Sequence, residues 1–202
     1  MENPLVTIAI PAYKAAFLKQ AIESALGQTY QHIEVIIVDD DSPNPIQEIV
    51  KTINDPRVKY YRNEKNVGKD NPVHNWNKCL SYAQGEFFAL LCDDDTYFPS
   101  FIEEMLKLAN QFPNTNVFRT RADFIDENGQ TIDWYPSSPL WENVDDYIWH
   151  VNRRYRKQTI SEFMYRTAHI RKLGGYYPLP LAWYADYVSV FRFALEGGIA
   201  SS

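Results

Sequence analysis

Apolar positions along this chain change spacing in a regular rhythm. Leu5 to Ile10 is a β-rich run stopped by Pro11, and Phe17, Leu18, Ala21, Ile22, Ala25 and Leu26 then share a helical face that Gly27 ends. The pattern repeats. Glu34 to Val38 is a second apolar strand, followed by Ile46, Ile49, Val50 and Ile53 at helical spacing. Val58 to Tyr61 reads as a third strand. After the polar turn Asn63 to Asp70, a helix is expected from about Val73 to Ala83. Phe87 to Leu91 is short, lacks helical spacing and follows Gly85, which predicts a strand buried on both faces. Pro99 opens another helix, with Phe101, Ile102, Met105, Leu106, Ala109 and Phe112 on one side. Strands that alternate with helices need crossover connections. The predicted fold class is therefore α/β, a mainly parallel sheet flanked by helices.

Beyond this helix the rhythm breaks. Val117 to Ile125 and Gln130 to Tyr135 flank Asn128-Gly129, which predicts a β-hairpin. Trp134, Tyr135, Trp141, Tyr147, Trp149 and Tyr155 follow, with a basic cluster from Arg153 to Lys157. These residues suit either sugar faces and phosphates or a second small core with a solvated basic face. Asp186 stands early in an amphipathic stretch. The chain stops just after Gly197-Gly198, which reads as a piece of something longer.

The polar residues at the strand ends add chemistry. The second strand runs into Asp39-Asp40-Asp41-Ser42 and the central strand into Asp93-Asp94-Asp95. In open α/β sheets, ligands bind outside the carboxyl ends of strands, so both clusters should lie on one edge. Three adjacent acids repel one another. A hard divalent ion, Mg2+ or Mn2+, would compensate them and complete its shell with water and phosphate. The alternative is a solvated acidic turn at the start of the next helix. The first strand ends in Pro11-Ala12-Tyr13, where a ring can stack on a planar base while the nearby main chain offers hydrogen bonds. Neither GxGxxG nor GxxxxGK[ST] occurs, so a bound diphosphate would depend on metal for its neutralisation.

Composition narrows the classes. The 202 residues suffice for one sizeable core, and the net charge of -6 argues against nucleic acid as a partner. Cys79 and Cys92 have no metal-type spacing, which fits a reduced, cytoplasmic protein. No run approaches the ~20 apolar residues of a membrane span.

Taken together, Ile10-Pro11-Ala12-Tyr13, Val38-Asp39-Asp40-Asp41-Ser42, Asn66-Val67-Gly68, Gly85-Glu86 and Leu91-Cys92-Asp93-Asp94-Asp95 closely resemble glycosyltransferase family 2. The resemblance implies the A-type glycosyltransferase fold in a single domain, residues 1–202. About 1–115 would form a nucleotide-sugar-binding half and about 116–202 an acceptor half. It implies an inverting transfer from a nucleotide sugar, UDP-linked, to a saccharide or lipid-linked saccharide in polysaccharide or glycolipid biosynthesis. A lipid-linked acceptor would add peripheral association with the inner membrane face. Pro11, Ala12, Tyr13, Asp40 and Asn66 become nucleotide-binding residues, with Tyr13 stacking on the base and Asp40 hydrogen-bonding it.

The family's Asp-x-Asp-Asp motif, aligned on Pro99, puts Cys92 at its first aspartate and Asp94 at the metal-binding one. Asp93 then takes over the ribose or phosphate contact. Asp95 is a second candidate metal ligand for Mn2+ or Mg2+. Lys14 replaces the usual asparagine after the tyrosine, and the acidic pair that carries the catalytic base reads Ala185-Asp186, so the base falls to Asp186. Nucleotidyl transfer is disfavoured by the lack of a glycine- and arginine-rich turn. A phospho-acceptor domain would have no use for Tyr13. A silent nucleotide-binding relative is the remaining alternative.

Overall fold

The computed structural model describes residues 3–202. Four parallel strands come first: β1 (Val6–Ala12), β2 (Ile33–Asp39), β3 (Val58–Arg62) and β4 (Phe87–Leu90). They lie side by side in the order β3-β2-β1-β4, with Ile8 opposite Val35 on one side and Ala89 on the other. α1 (Leu18–Leu26), α2 (Ile46–Lys51) and α3 (Val73–Tyr82) make the crossovers, and α4 (Phe101–Gln111) follows β4.

The sheet continues through the second half of the chain. β5 (Val117–Arg119), β9 (Phe163–Arg166) and β10 (Ile199–Ser201) extend it in the order β4-β9-β5-β10, and β8 (Trp141–Glu142) closes the edge. β9 runs antiparallel to both neighbours, while β10 is parallel to β5. A separate two-stranded sheet pairs β6 (Asp123–Ile125) with β7 (Thr131–Trp134).

Alternation along the strands sends side chains to two cores. Val6, Ile8, Ile10, Val35, Ile37, Phe87 and Ala89 pack with α1, α2 and α4 on one face. Ala9, Ile36, Val38, Phe88 and Leu90 pack with α3, α5 (Val144–Asn152), α6 (Thr167–Lys172) and α7 (Ala185–Ala194) on the other. Burial on both faces explains why these strands read as nearly continuous apolar runs. Each valine, isoleucine, leucine or phenylalanine among them contributes about 1.5–3 kcal/mol when fully buried.

The structure differs from expectation in a few places. β4 ends at Leu90, leaving Leu91 and Cys92 outside the strand, and Pro99 lies in the turn before α4. The expected strand from Val117 to Ile125 is divided between two sheets. Arg119 is buried against Glu162 at 2.8 Å, and the Thr120 N–H donates to the Glu162 carbonyl at 3.1 Å, so the chain is pinned there and leaves the main sheet. The hairpin at Asn128-Gly129 is present, with Gly129 at φ +77, and belongs to β6 and β7 alone. Among the described residues, no helix is long and apolar enough to cross a membrane.

Candidate active site

The carboxyl ends of β1, β2 and β4 meet around a cavity of about 430 Å3. Pro11, Tyr13, Asp40, Asn66, Asp93 and Asp94 all line it. Parallel pairing of β1 with both β2 and β4 makes this convergence unavoidable, because all three strands end at the same edge. Ala12 is fully buried behind the wall, where its carbonyl accepts the Asp40 N–H at 3.0 Å.

Tyr13 is 43% exposed. Its main chain is held from both sides. Its N–H and that of Lys14 donate to one oxygen of Asp93 at 2.7 and 2.6 Å, and its carbonyl accepts from Ser42 Oγ and Asn44 Nδ2. Asp93 therefore ties the turn after β1 to the turn after β4. Burial raises its pKa, and the two N–H groups pull the other way.

The three acids after β2 have separate jobs. Asp39 is fully buried and accepts from the Tyr60 hydroxyl, Arg62 and the Ser42 N–H. Asp41 sits at φ +51 and pairs with Arg62 at 2.7 Å. Asp40 accepts from Asn63 Nδ2 and the N–H groups of Val67 and Gly68, which draws the loop carrying Asn66 over the cavity. A carboxylate has about four acceptor positions, so these three bonds leave capacity for a ligand. Asn66 Oδ1 is buried without a hydrogen-bond partner.

At the acidic turn, Lys14 Nζ lies 2.8 Å from Asp94, which with the approach of Asp93 raises the lysine pKa. Asp95 accepts from Ser161 Oγ at 2.6 Å and lines a second cavity; burial raises its pKa. Ligand atoms of Cys92, Asp94 and Asp95 lie within 4.8 Å of one another. Burial and the neighbouring Asp95 push the Cys92 thiol up to about 12. The two carboxylates suit a hard ion that takes one or two protein oxygens and shares the rest of its shell with water and phosphate.

Asp186 lies at the start of α7 and lines neither cavity. Burial raises its pKa, partly offset by main-chain N–H groups at the helix start and the Gln158 amide. Tyr184, just before the helix, is left-handed at φ +58. The basic cluster is spent locally: Arg153 stacks over Trp149, Arg156 approaches Glu142, and Lys157 reaches Asp133, Phe124 and Tyr135.

Sequence reasoning missed Lys69, Asn75 and Trp76, which also line the first cavity. Trp76 and Asn75 lie on consecutive positions of a helix called from its apolar spacing, and Lys69 belongs to the polar turn. Their proximity to Asn66 and Gly68 was the available signal.

The profile of the family described as Glycosyl transferase family 2 matches residues 7–172, most of the chain and all of the first cavity's wall. The chain belongs to this family. An uncharacterized glycosyltransferase of Rickettsia typhi is 34% identical over 116 residues, covering 57% of this chain and 35% of that protein. S. aureus TarS in complex with UDP-GlcNAc superposes with a TM-score of 0.76 at 18% identity, covering 98% of this chain and 55% of TarS. The mannosyltransferase PcManGT from Pyrobaculum calidifontis, in complex with GDP-Man and Mn2+, gives 0.70 at 16% identity, over 98% and 56%. These superpositions establish the A-type glycosyltransferase architecture. The family 2 chain thus spans about a third of the Rickettsia relative and little more than half of each solved structure.

Proposed function

We propose that this family 2 glycosyltransferase domain binds a UDP-sugar in the first cavity and transfers the sugar, with inversion, to a hydroxyl of a saccharide or lipid-linked saccharide. The observation that carries this reading is the convergence of Tyr13, Asp40, Asn66, Asp93 and Asp94 on one cavity at the strand ends. The exposed Tyr13 ring supplies a stacking surface for the base. The spare acceptor capacity of Asp40 faces an N–H of uracil. Asn66 gives its unpartnered oxygen to the nucleoside.

Lys14 and Lys69 line the same wall and lend positive charge to the diphosphate. Asp94 and Asp95 would hold Mn2+ or Mg2+, which supplies the further charge that a departing diphosphate needs. TarS, bound to UDP-GlcNAc, and PcManGT, bound to GDP-Man and Mn2+, make a nucleotide-sugar donor a reasonable reading for the shared fold.

In the reaction, a lone pair of the acceptor oxygen forms the new bond to the anomeric carbon. The bond from that carbon to the diphosphate oxygen breaks, and the nucleoside diphosphate departs with the electron pair. Asp186 takes the acceptor's proton. Its raised pKa makes it a better base than an ordinary aspartate, at the cost of needing a higher pH to ionise. A lipid-linked acceptor would place the protein at the cytoplasmic face of a membrane.

The test is thermal shift with uridine and guanosine diphosphates on the wild-type chain and Tyr13→Ala. Stabilisation by UDP above GDP, lost in the variant, is expected; equal response to both nucleotides would remove the uracil assignment. A loss of ~1–3 kcal/mol of binding is expected for the missing ring, by analogy with aromatic-base stacking.

A further inference from the structure

A chain of buried polar side chains runs from the main sheet to Asp186. It starts at Arg119 on β5, which is 2% exposed and paired with Glu162 at 2.8 Å. Arg119 Nη1 donates to the Tyr147 hydroxyl on α5 at 3.3 Å, and Nη2 donates to the Lys157 carbonyl at 3.1 Å, next to Gln158. The Tyr147 hydroxyl donates to Gln158 Oε1 at 2.7 Å. The Gln158 amide in turn donates to the Asp186 carboxylate, and the Gln158 main-chain N–H donates to the Tyr187 hydroxyl. Tyr147 is fully buried and Gln158 is 6% exposed, so neither has water as an alternative partner.

The direction of this chain is fixed by its first member. An arginine only donates, so the Tyr147 oxygen accepts from it and the hydroxyl proton is left for Gln158. A proton delivered to Oε1 decides which way the amide is turned, and Nε2 then faces Asp186. An amide nitrogen only donates, so it matches the carboxylate in its ionised state, the state in which an aspartate can take a proton. In a buried setting each link also polarises the next.

We propose that Gln158, oriented by Tyr147 and Arg119, is a positioning residue that holds the Asp186 carboxylate in one orientation as the base of the transfer reaction. The assignment rests on the glycosyltransferase reading above.

Other groups act on the same carboxyl. Burial raises the Asp186 pKa, and the main-chain N–H groups at the start of α7 lower it alongside Gln158. Its charge is felt by Glu162 just before β9, by Tyr165 on β9 and by Tyr187 on α7. Glu162 is pushed up to about 8 by burial against the pull of Arg119, so a second carboxyl titrates close by. Asp186 therefore has to be followed by itself.

The experiment is carbon-13 NMR titration of the whole chain labelled at aspartate carboxyls, with Asp186 assigned as the resonance lost in Asp186→Asn. Gln158→Met keeps the length of the side chain and removes its donor. Tyr147→Phe keeps the buried ring and removes only the hydroxyl. Gln158→Met should raise the Asp186 pKa by about one unit, the size of a lost hydrogen bond to a charged group, and Tyr147→Phe should raise it by less. The second readout is UDP release from UDP-glucose, UDP-galactose and UDP-N-acetylglucosamine with water as the acceptor. Gln158→Met should lower kcat about 10- to 100-fold at unchanged donor KM, and its acid limb should move up with the carboxyl. Should Gln158→Met melt well below the wild type, Tyr147→Phe supplies both readouts in a gentler form. An Asp186 titration identical to wild type in both variants, or a wild-type kcat in Gln158→Met, would overturn the proposal. A wild-type chain that releases UDP from none of these donors would instead bring down the glycosyl-transfer reading on which it rests.

Discussion

Lys14 Nζ stands 2.8 Å from a carboxylate oxygen of Asp94, so the chain supplies its own cation to the acid proposed as the principal metal ligand. Both side chains are well exposed, which makes the pair weak and exchangeable. A divalent ion arriving at Asp94 has to displace the ammonium. Lys14→Met should therefore tighten Mn2+ binding to the nucleotide-free protein by ~2- to 5-fold, the equivalent of an exposed ion pair. Electron paramagnetic resonance titration of free Mn2+ reads this directly. Unchanged or weaker Mn2+ binding would show that Lys14 does not compete for the site.

Asp40 and Gly68 form a second coupled pair. The Gly68 N–H donates to Asp40 Oδ2 at 2.7 Å, and a Cβ added at Gly68 would stand 2.6 Å from that same oxygen. Gly68→Ala should push the loop off Asp40 and weaken UDP binding while leaving the Tyr13 ring in place. Asp40→Asn exchanges an acceptor oxygen for an amide that faces existing donors, and should cost ~1–3 kcal/mol of stability as well as discrimination between bases. Denaturant unfolding and UDP titration separate the two effects. Wild-type UDP affinity in Gly68→Ala would mean that the loop takes no part in the nucleotide site.

Asp186 divides an enzyme from a binding module. Asp186→Asn should leave UDP and metal affinity unchanged and lower transfer by about 10²–10⁴-fold. The pH profile carries a second signature. Burial raises the Asp186 pKa, so the ionised base is lost as pH falls through a value above the ordinary aspartate range. The acid limb of kcat/KM should appear at that higher pH. A variant with normal folding and normal transfer would send the search for the base to Glu142, Asp145 and Asp146.

The parallel half of the fold was legible because its strands and helices are long enough to show their periods and are punctuated by Pro11, Gly27 and Gly85. Tyr13, Asp40 and Asp94 could be found from their positions at strand ends. Asp93's role was not legible, because its bonds to the Tyr13 and Lys14 N–H groups depend on the β1·β4 pairing across about eighty residues of chain. Lys14 was visible as a departure from the family pattern, but its partner was hidden for the same reason.

The second half yielded less. β8, β9 and β10 are two to four residues long, too short for any period to emerge. Arg119 and Glu162 were invisible as a unit, since a pair of charged residues is expected at the surface and this one is 2% and 1% exposed at its side chains. Without β9 and the turn that precedes it, nothing in the sequence brings Ser161 beside Asp95.

The central claim is that the first cavity holds a nucleoside diphosphate with a metal at Asp94, and calorimetric titration of UDP in Mn2+ and in EDTA tests it most directly. The wild-type chain should bind UDP far more tightly in Mn2+, and Asp94→Asn should lose most of that gain while changing little in EDTA. Equal affinity in both buffers, or equal losses in the variant under both, would contradict the account.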